Sequence, residues 1–376
     1  MARILYLMHI PWGWIKQRPH FIAEGLATTH KVDVFFKKPN NVAKNKLLTS
    51  YSDSNDNLRI KGFRLLPFYA IPVIKHLPLE WINKLLLRWQ IPNLKGYDVV
   101  WITGVGLWPY VKKIISHDSK VIYDCMDDMS EFPDIKNNHV LHKRTIENEK
   151  DLLMDANLVF CSANYLKLKI FSRYHANQDK AVVLNNAIQM PCNVDGDEIP
   201  VHIQEKLQLV KGIKNMMYIG AISEWFDFDT VCKALDSVKD LNLVLIGPID
   251  TKVPNHERII QIGTINRDYI FDFMKLSNVL IMPFKVNELI KSVNPVKLYE
   301  YIYSGKPVVA SRYGESEYFE PFVKLYRTPD ELVALLNQIE DKSNDIEYVN
   351  KCREFLAHNT WESRVCIINA YLNRML

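Results

Sequence analysis

The chain has 376 residues and a formal net charge of +4; 48% of the residues are hydrophobic and 24% charged, as in a soluble globular protein. That length exceeds one ordinary α/β core and suits two, and no low-complexity stretch or internal repeat interrupts it. Six cysteines stand far apart with no C-x-x-C pair, so neither a zinc site nor a disulfide framework is expected, and a reducing cytoplasm fits.

The charge is unevenly shared, +9 through residue 190 and −5 beyond it. A basic N-terminal half usually points to anionic lipid, polyphosphate or nucleic acid. The apolar opening, Met1 to Ile10, stops at Pro11 and reads as a buried first strand, too short for a membrane span and without a leader's cleavage pattern. No other run reaches the roughly 18 apolar residues a span needs.

Along the chain, short β-branched and aromatic runs alternate with helical patterns, the signature of βαβ units and parallel sheets. Strands are expected at 3–9, 32–37, 98–103, 120–126, 156–162 and 181–185, with helices at 17–27, 107–116, 138–154 and 164–174. Residues 190–211, with Pro191, Gly196 and Pro200 among several acids, read as a linker region. The rhythm then restarts, with strands at 215–220, 241–247, 258–262, 278–283, 307–311 and 323–326. Residues 360–376 carry Trp361, Val365, Ile368 and Leu372 on one helical face. The expected architecture is α/β: two doubly wound Rossmann-like domains facing across a cleft, 1–190 and 191–359, with the helix 360–376 crossing back to the first. Ligands are expected at the C-terminal ends of the strands.

One stretch carries most of the chemistry, Ser292-Val-Asn-Pro-Val-Lys-Leu-Tyr-Glu-Tyr-Ile-Tyr-Ser-Gly-Lys-Pro-Val-Val-Ala-Ser311. Pro295 suits the first turn of a helix, and Lys297 and Glu300 share a face near its start. Unpaired N–H groups at a helix N-terminus, with a lysine in reach, make a diphosphate site, and a carboxylate one turn on can accept ribose hydroxyls. An ordinary exposed ion pair is the alternative for Lys297 and Glu300.

Asn-Pro-x-Lys-x-x-Glu-Tyr followed by Ser-Gly-Lys-Pro-Val-Val resembles the donor-site helix of GT-B glycosyltransferases, in particular bacterial teichuronic-acid-type polysaccharide transferases. The resemblance covers most of the chain in order and implies a nucleotide-sugar site formed by Gly220, Asp227, Gly263, Ser292, Asn294, Pro295, Lys297 and Glu300. In the large retaining family with an E-x7-E motif, the second Glu binds the donor ribose and would fall on Glu300. The first would fall on Ser292, a departure from the pattern. A second departure is Tyr218–Asp227, which lacks the Arg and Lys that family carries after the first strand of this domain.

A second block, Trp12-Gly-Trp-Ile-Lys-Gln-Arg-Pro-His20, is shared with the same transferases. It implies Trp12, Trp14 and Arg18 as acceptor contacts and His20 as a candidate base, since one inverting GT-B family uses a His near this place. Both tryptophans covering the sheet is the alternative. A third block, Tyr123-Asp-Cys-Met-Asp-Asp-Met-Ser130, runs a buried strand into three acids. Crowded carboxylates can have raised pKa values suited to a general base. The resemblance, which includes xanthan-type glucuronosyltransferases that use Asp, implies Asp127 first and Asp128 second, against the alternative that these acids cap the next helix. Gly104-Val-Gly106 lacks the third glycine of a dinucleotide fingerprint.

Residues 63–92 interleave tryptophans and aliphatics with Arg64, Lys75, Lys84 and Arg88, suiting an anionic bilayer surface or, alternatively, the domain's own core. The expected protein is therefore a cytoplasmic, peripherally membrane-associated transferase. It moves a sugar from a nucleotide diphosphate, UDP before GDP, to a lipid-linked glycan of O-antigen, capsule or teichuronic type. No cofactor, essential metal or nucleic-acid partner is expected. A GT-B sugar-nucleotide epimerase and a catalytically silent GT-B scaffold are the alternatives.

Overall fold

The structure, a computed structural model, describes residues 1–13, 16–38, 56–66, 79–91, 94–191, 200–341 and 343–376. The chain divides into two units, Met1–Asn185 with Trp361–Leu376, and Asn186–Thr360. Part of the segment read as a linker, 192–199, lies outside the described residues.

In the first unit the strands are β1 (Arg3–Met8), β2 (Lys31–Lys37), β3 (Leu58–Phe63), β4 (Val99–Ile102), β5 (Lys120–Cys125), β6 (Leu158–Cys161) and β7 (Ala181–Val183). They pair in parallel in the order β3-β2-β1-β4-β5-β6-β7. The inner strands are buried along nearly their whole length, as a sheet covered on both faces requires. β3 was not expected from the sequence. Its residues, Leu-Arg-Ile-Lys-Gly-Phe, alternate between buried and exposed at the sheet's edge, and its two cations and glycine mask the apolar pattern.

The longer helices of this unit are α1 (Arg18–Leu26), α2 (Leu79–Gln90), α3 (His139–Asp155) and α4 (Asn164–Tyr174). Only Trp108–Val111 of the helix expected at 107–116 is α-helical. The chain then tightens into a turn in which Ile114 N–H bonds the Val111 carbonyl at 2.9 Å. One sheet face carries Tyr6, Trp101 and Phe160, stacked with centroids 5.6 Å apart at each step. The C-terminal helix, Trp361–Met375, lies against α1, where Phe21 stacks on Trp361 at 5.0 Å, and reaches the residue just before β2, where His30 Nε2 meets Asn369 Oδ1 at 3.1 Å. At Gly25 a methyl group would sit 2.4 Å from Val365 Cγ2, so this crossing needs glycine.

The second unit repeats the plan with β8 (Asn215–Ile219), β9 (Asn242–Ile246), β10 (Ile259–Gly263), β11 (Val279–Met282), β12 (Val308–Ser311) and β13 (Val323–Tyr326). Their order, β10-β9-β8-β11-β12-β13, is that of a doubly wound dinucleotide-type sheet. Its longer helices are α5 (Phe228–Ser237), α6 (Val296–Tyr303), α7 (Pro329–Gln338) and α8 (Ile346–Ala357). Among the described residues no helix is long and apolar enough to cross a membrane.

Candidate active site

The second unit builds its site where β8 and β9 end. β8 stops at Gly220 (φ +151°) and β9 at Gly247 (φ +138°), backbone that side-chain-bearing residues rarely adopt. A Cβ on Gly247 would lie 2.1 Å from the Gly220 carbonyl oxygen, and one on Gly220 would lie 1.9 Å from Lys297 Cε. The missing side chain at Gly220 is thus the space that the Lys297 side chain occupies.

Lys297 comes from the first turn of α6. That helix buries Leu298, Tyr299, Tyr301 and Ile302 and leaves its N-terminus without a side-chain cap. Pro295 occupies the N-cap position itself, one residue earlier than expected. The ammonium sits 5.6 Å from the Tyr218 ring centroid, and among the described residues no carboxylate lies within 4.0 Å of it. Burial lowers its pKa, with Glu300 opposing the shift. A lysine kept near a glycine turn and an uncapped helix start can receive a phosphate as its counter-ion.

Glu300, one turn on, is 8% exposed. Burial raises its carboxyl pKa, and Arg267 and Lys297 act against that rise. Arg267 Nη2 donates to Glu300 Oε1 at 2.5 Å from the turn that follows β10. The sequence reading missed Arg267. It stands 33 residues from Glu300 in a loop without a motif, and its only signal was a cation shortly after Gly263.

The other expected donor residues divide by what they touch. Asn294 is 2% exposed; its Oδ1 and carbonyl oxygen accept from Asn186 N–H (3.0 Å) and Nδ2–H (2.8 Å). Its own Nδ2 is buried without a hydrogen-bond partner. Ser292 is fully buried after the short helix Glu288–Lys291, and its Oγ donates to the Glu288 carbonyl at 3.2 Å. Gly263 ends β10 at φ +76° with open space beside it. Asp227 is a helix cap: its two oxygens accept from Thr230 N–H (3.1 Å) and Oγ–H (2.7 Å) at the start of α5. That engagement removes it from the set of free ligand groups.

In the first unit the three acids at the end of β5 have different fates. Asp124 is fully buried and takes Arg18 through Nε (2.9 Å) and Nη2 (2.8 Å), while Arg18 Nη1 donates to the Leu184 carbonyl at 2.7 Å. Arg18, expected to contact acceptor, is therefore a core cation tying α1 to the sheet. Asp128 is likewise fully buried. It accepts from Ser130 N–H (3.2 Å) and Oγ–H (2.6 Å) and pairs with Arg173 (2.5 Å) and Lys169 (3.0 Å). These partners hold its carboxyl below the usual range despite burial, an engagement that suits a structural role better than that of a base.

Asp127 differs from both. Among the described residues its carboxylate has no hydrogen bond or ion pair, and burial raises its pKa to about 6. Asp124 and Asp128 add to the rise, and Arg18 opposes it. A carboxylate poised near neutrality and free of partners fits a general base.

His20 does not. Its Nδ1 accepts from Gln17 N–H at 3.1 Å, closing a capping box at the start of α1, and burial lowers its pKa to about 4. The lone pair a base would use is committed to the backbone. Trp12 is 8% exposed and packs on the His20 ring at 5.0 Å. Trp14 lies outside the described residues.

Residues 213–342 match the family described as glycosyl transferases group 1, a span that contains every residue of the Gly220–Lys297–Glu300 constellation. The two parallel-sheet Rossmann-like units have the GT-B fold. Among known proteins it is similar to TuaH of Bacillus subtilis (strain 168), whose name assigns it to teichuronic acid biosynthesis. The two are 24% identical over 282 residues, 70% of this chain and 68% of that one. The fold is also that of HepE from Anabaena, solved with UDP and glucose (13% identity, TM-score 0.68, 99% of this chain and 100% of that one). Sucrose-phosphate synthase from Thermosynechococcus elongatus shares it as well (14% identity, TM-score 0.71, 99% of each chain).

Proposed function

We propose that this protein is a glycosyltransferase that moves a sugar from a nucleotide diphosphate, UDP before GDP, to a hydroxyl of a lipid-linked glycan during bacterial cell-surface polysaccharide synthesis. The observation that carries the reading is the Lys297 ammonium, lodged over Gly220 at the uncapped start of α6 and without a carboxylate partner among the described residues. In this reading Lys297 and the first N–H groups of α6 take the charge of the leaving diphosphate, so no metal is needed there. Glu300 accepts from the ribose. Asp127 removes the acceptor's proton as the new bond forms, the role open to it if the anomeric configuration inverts.

The choice of UDP draws on HepE, solved with UDP and glucose, and the polysaccharide role draws on the name of TuaH. The lipid-linked acceptor is supported by α2. On that helix Trp81, Leu85 and Trp89 lie four apart and are 62%, 47% and 83% exposed, with Arg88 exposed beside them. Such a face suits the headgroup region of an anionic leaflet. Phe68 to Leu77 of the same patch, Lys75 included, lie outside the described residues.

The test is thermal-shift binding of UDP, GDP, dTDP and CDP to the wild-type chain, Lys297→Ala and Glu300→Ala. One diphosphate is expected to raise the melting temperature of the wild type and of neither variant. A flat response to all four at millimolar concentration would sink the transferase reading of this site. Turnover of the sugar nucleotide to free sugar without any acceptor would point to an epimerase instead.

A further inference from the structure

The donor helix carries a cation and a carboxylate three residues apart, yet they are not each other's ion-pair partners. No carboxylate lies within 4.0 Å of Lys297 among the described residues, and Glu300 is held instead by Arg267, brought in from the turn after β10. The carboxylate has only 10% of its side chain exposed, and an unpaired group so placed would tend to hold its proton. A protonated carboxyl loses acceptor capacity, and ribose hydroxyls need an acceptor. Arg267 takes Oε1, while Oε2 has no hydrogen-bond partner among the described residues and is not fully enclosed.

We propose that Arg267 is a positioning residue for the nucleotide's ribose: it clamps Oε1 of Glu300 and leaves Oε2 as the ionised acceptor for a ribose hydroxyl. The proposal rests on the donor-site reading above. It gives the two cations separate tasks, Lys297 for the diphosphate and Arg267 for the carboxylate. It also accounts for a segment, Tyr218–Asp227, that has no base of its own: the second cation comes from another strand's end and serves the Glu300 carboxylate instead of a phosphate.

The experiment is calorimetric titration of the full chain with UDP and with GDP, each beside its 2′-deoxy counterpart, from pH 6 to pH 9. The proteins are wild type, Arg267→Gln, Arg267→Lys and Glu300→Gln. Wild type should prefer the ribonucleotide by about tenfold to a hundredfold at the alkaline end, the worth of a hydrogen bond to a charged group. In Arg267→Gln that preference should be smaller than in wild type and should grow as pH rises, because the unclamped carboxyl must first lose its proton. Arg267→Lys should keep it in part, and Glu300→Gln should lack it at every pH.

If Arg267→Gln weakens ribo- and deoxynucleotide equally and keeps the preference, Arg267 touches the phosphates or the base and the positioning role is overturned, with the donor site intact. If wild type binds a diphosphate without ribose preference, Glu300 is not the ribose ligand. If wild type binds none of the four, the donor-site reading falls and the proposal falls with it. Melting temperatures of the unliganded variants separate a folding defect from either result.

Discussion

The end of β5 in the first unit and the start of α6 in the second both gather charge at a strand or helix terminus, and they use it in opposite ways. At β5 nearly every charge is consumed internally. Arg18 is spent on Asp124, while Arg173 and Lys169 are engaged by Asp128, so Asp127 alone keeps a carboxylate without a partner among the described residues. At α6 the carboxylate is clamped by Arg267 and it is a cation, Lys297, that has no carboxylate within reach. One region thus offers a proton acceptor and the other an anion acceptor. Neither role can be read from the number of charges in a segment. Each depends on which charge is left over after the internal pairs are made.

The largest expected effect tests the leftover carboxylate. Asp127→Asn should lower the transfer rate by about 10²- to 10⁴-fold, the usual worth of a general base. In the wild type the acid limb of the rate should rise as pH passes through about 6, where Asp127 ionises. The stability effect has the opposite sign. Because the folded carboxyl titrates above its ordinary value of 3.8, the stability it contributes is fully present below that value. It is lost as pH rises through about 6. Asp127→Asn should therefore be more stable than wild type at pH 8, by roughly 1–3 kcal/mol, and no more stable at pH 3. A variant that is both inactive and less stable at pH 8 would break the contrast drawn with Asp128.

Next in size is the seat of the leftover cation. Gly220→Ala places a methyl group where the Lys297 side chain lies and asks alanine for φ +151°. Nucleoside diphosphate affinity, measured by titration calorimetry, should fall about tenfold or more, comparable to losing a charge-assisted hydrogen bond. Unchanged affinity would show that Lys297 can leave this position without cost.

The smallest effect on the fold is expected at α2. Trp89→Ala and Trp81→Ala should shift stability by no more than about 0.5 kcal/mol, as exposed positions do. Sedimentation with phosphatidylglycerol vesicles should nevertheless drop for both. Vesicle binding that survives the double variant would remove this helix as the lipid-facing element.

The repeating strand–helix rhythm was legible because a buried parallel strand writes itself as a short apolar run: Val323–Tyr326 has the same bounds in sequence and structure. β3 was not, since an edge strand with Arg59, Lys61 and Gly62 carries little apolar signal. In the site, Lys297 and Glu300 were readable because both sit on one short helix with its own motif. Arg18 and Asp124 are separated by 106 residues, and Arg267 and Glu300 by 33, so no local pattern announces either pair. His20 and Asp128 were read as chemistry because a capping residue and a base are the same residue types; only the N–H groups they accept from distinguish the two uses.

The C-terminal helix gives the chain a timetable. Its contacts to the start of the chain reach across as many as 340 residues, and the whole of the second unit is synthesised before it. On the ribosome, the face of α1 that bears Phe21 and Gly25 therefore waits uncovered while a complete second sheet emerges. Loop closure over such a distance is slow, so the second unit can finish folding while the first still lacks its last helix. Nascent chains stalled before residue 361 should accordingly be sensitive to protease in the earlier-made half and resistant in the later one.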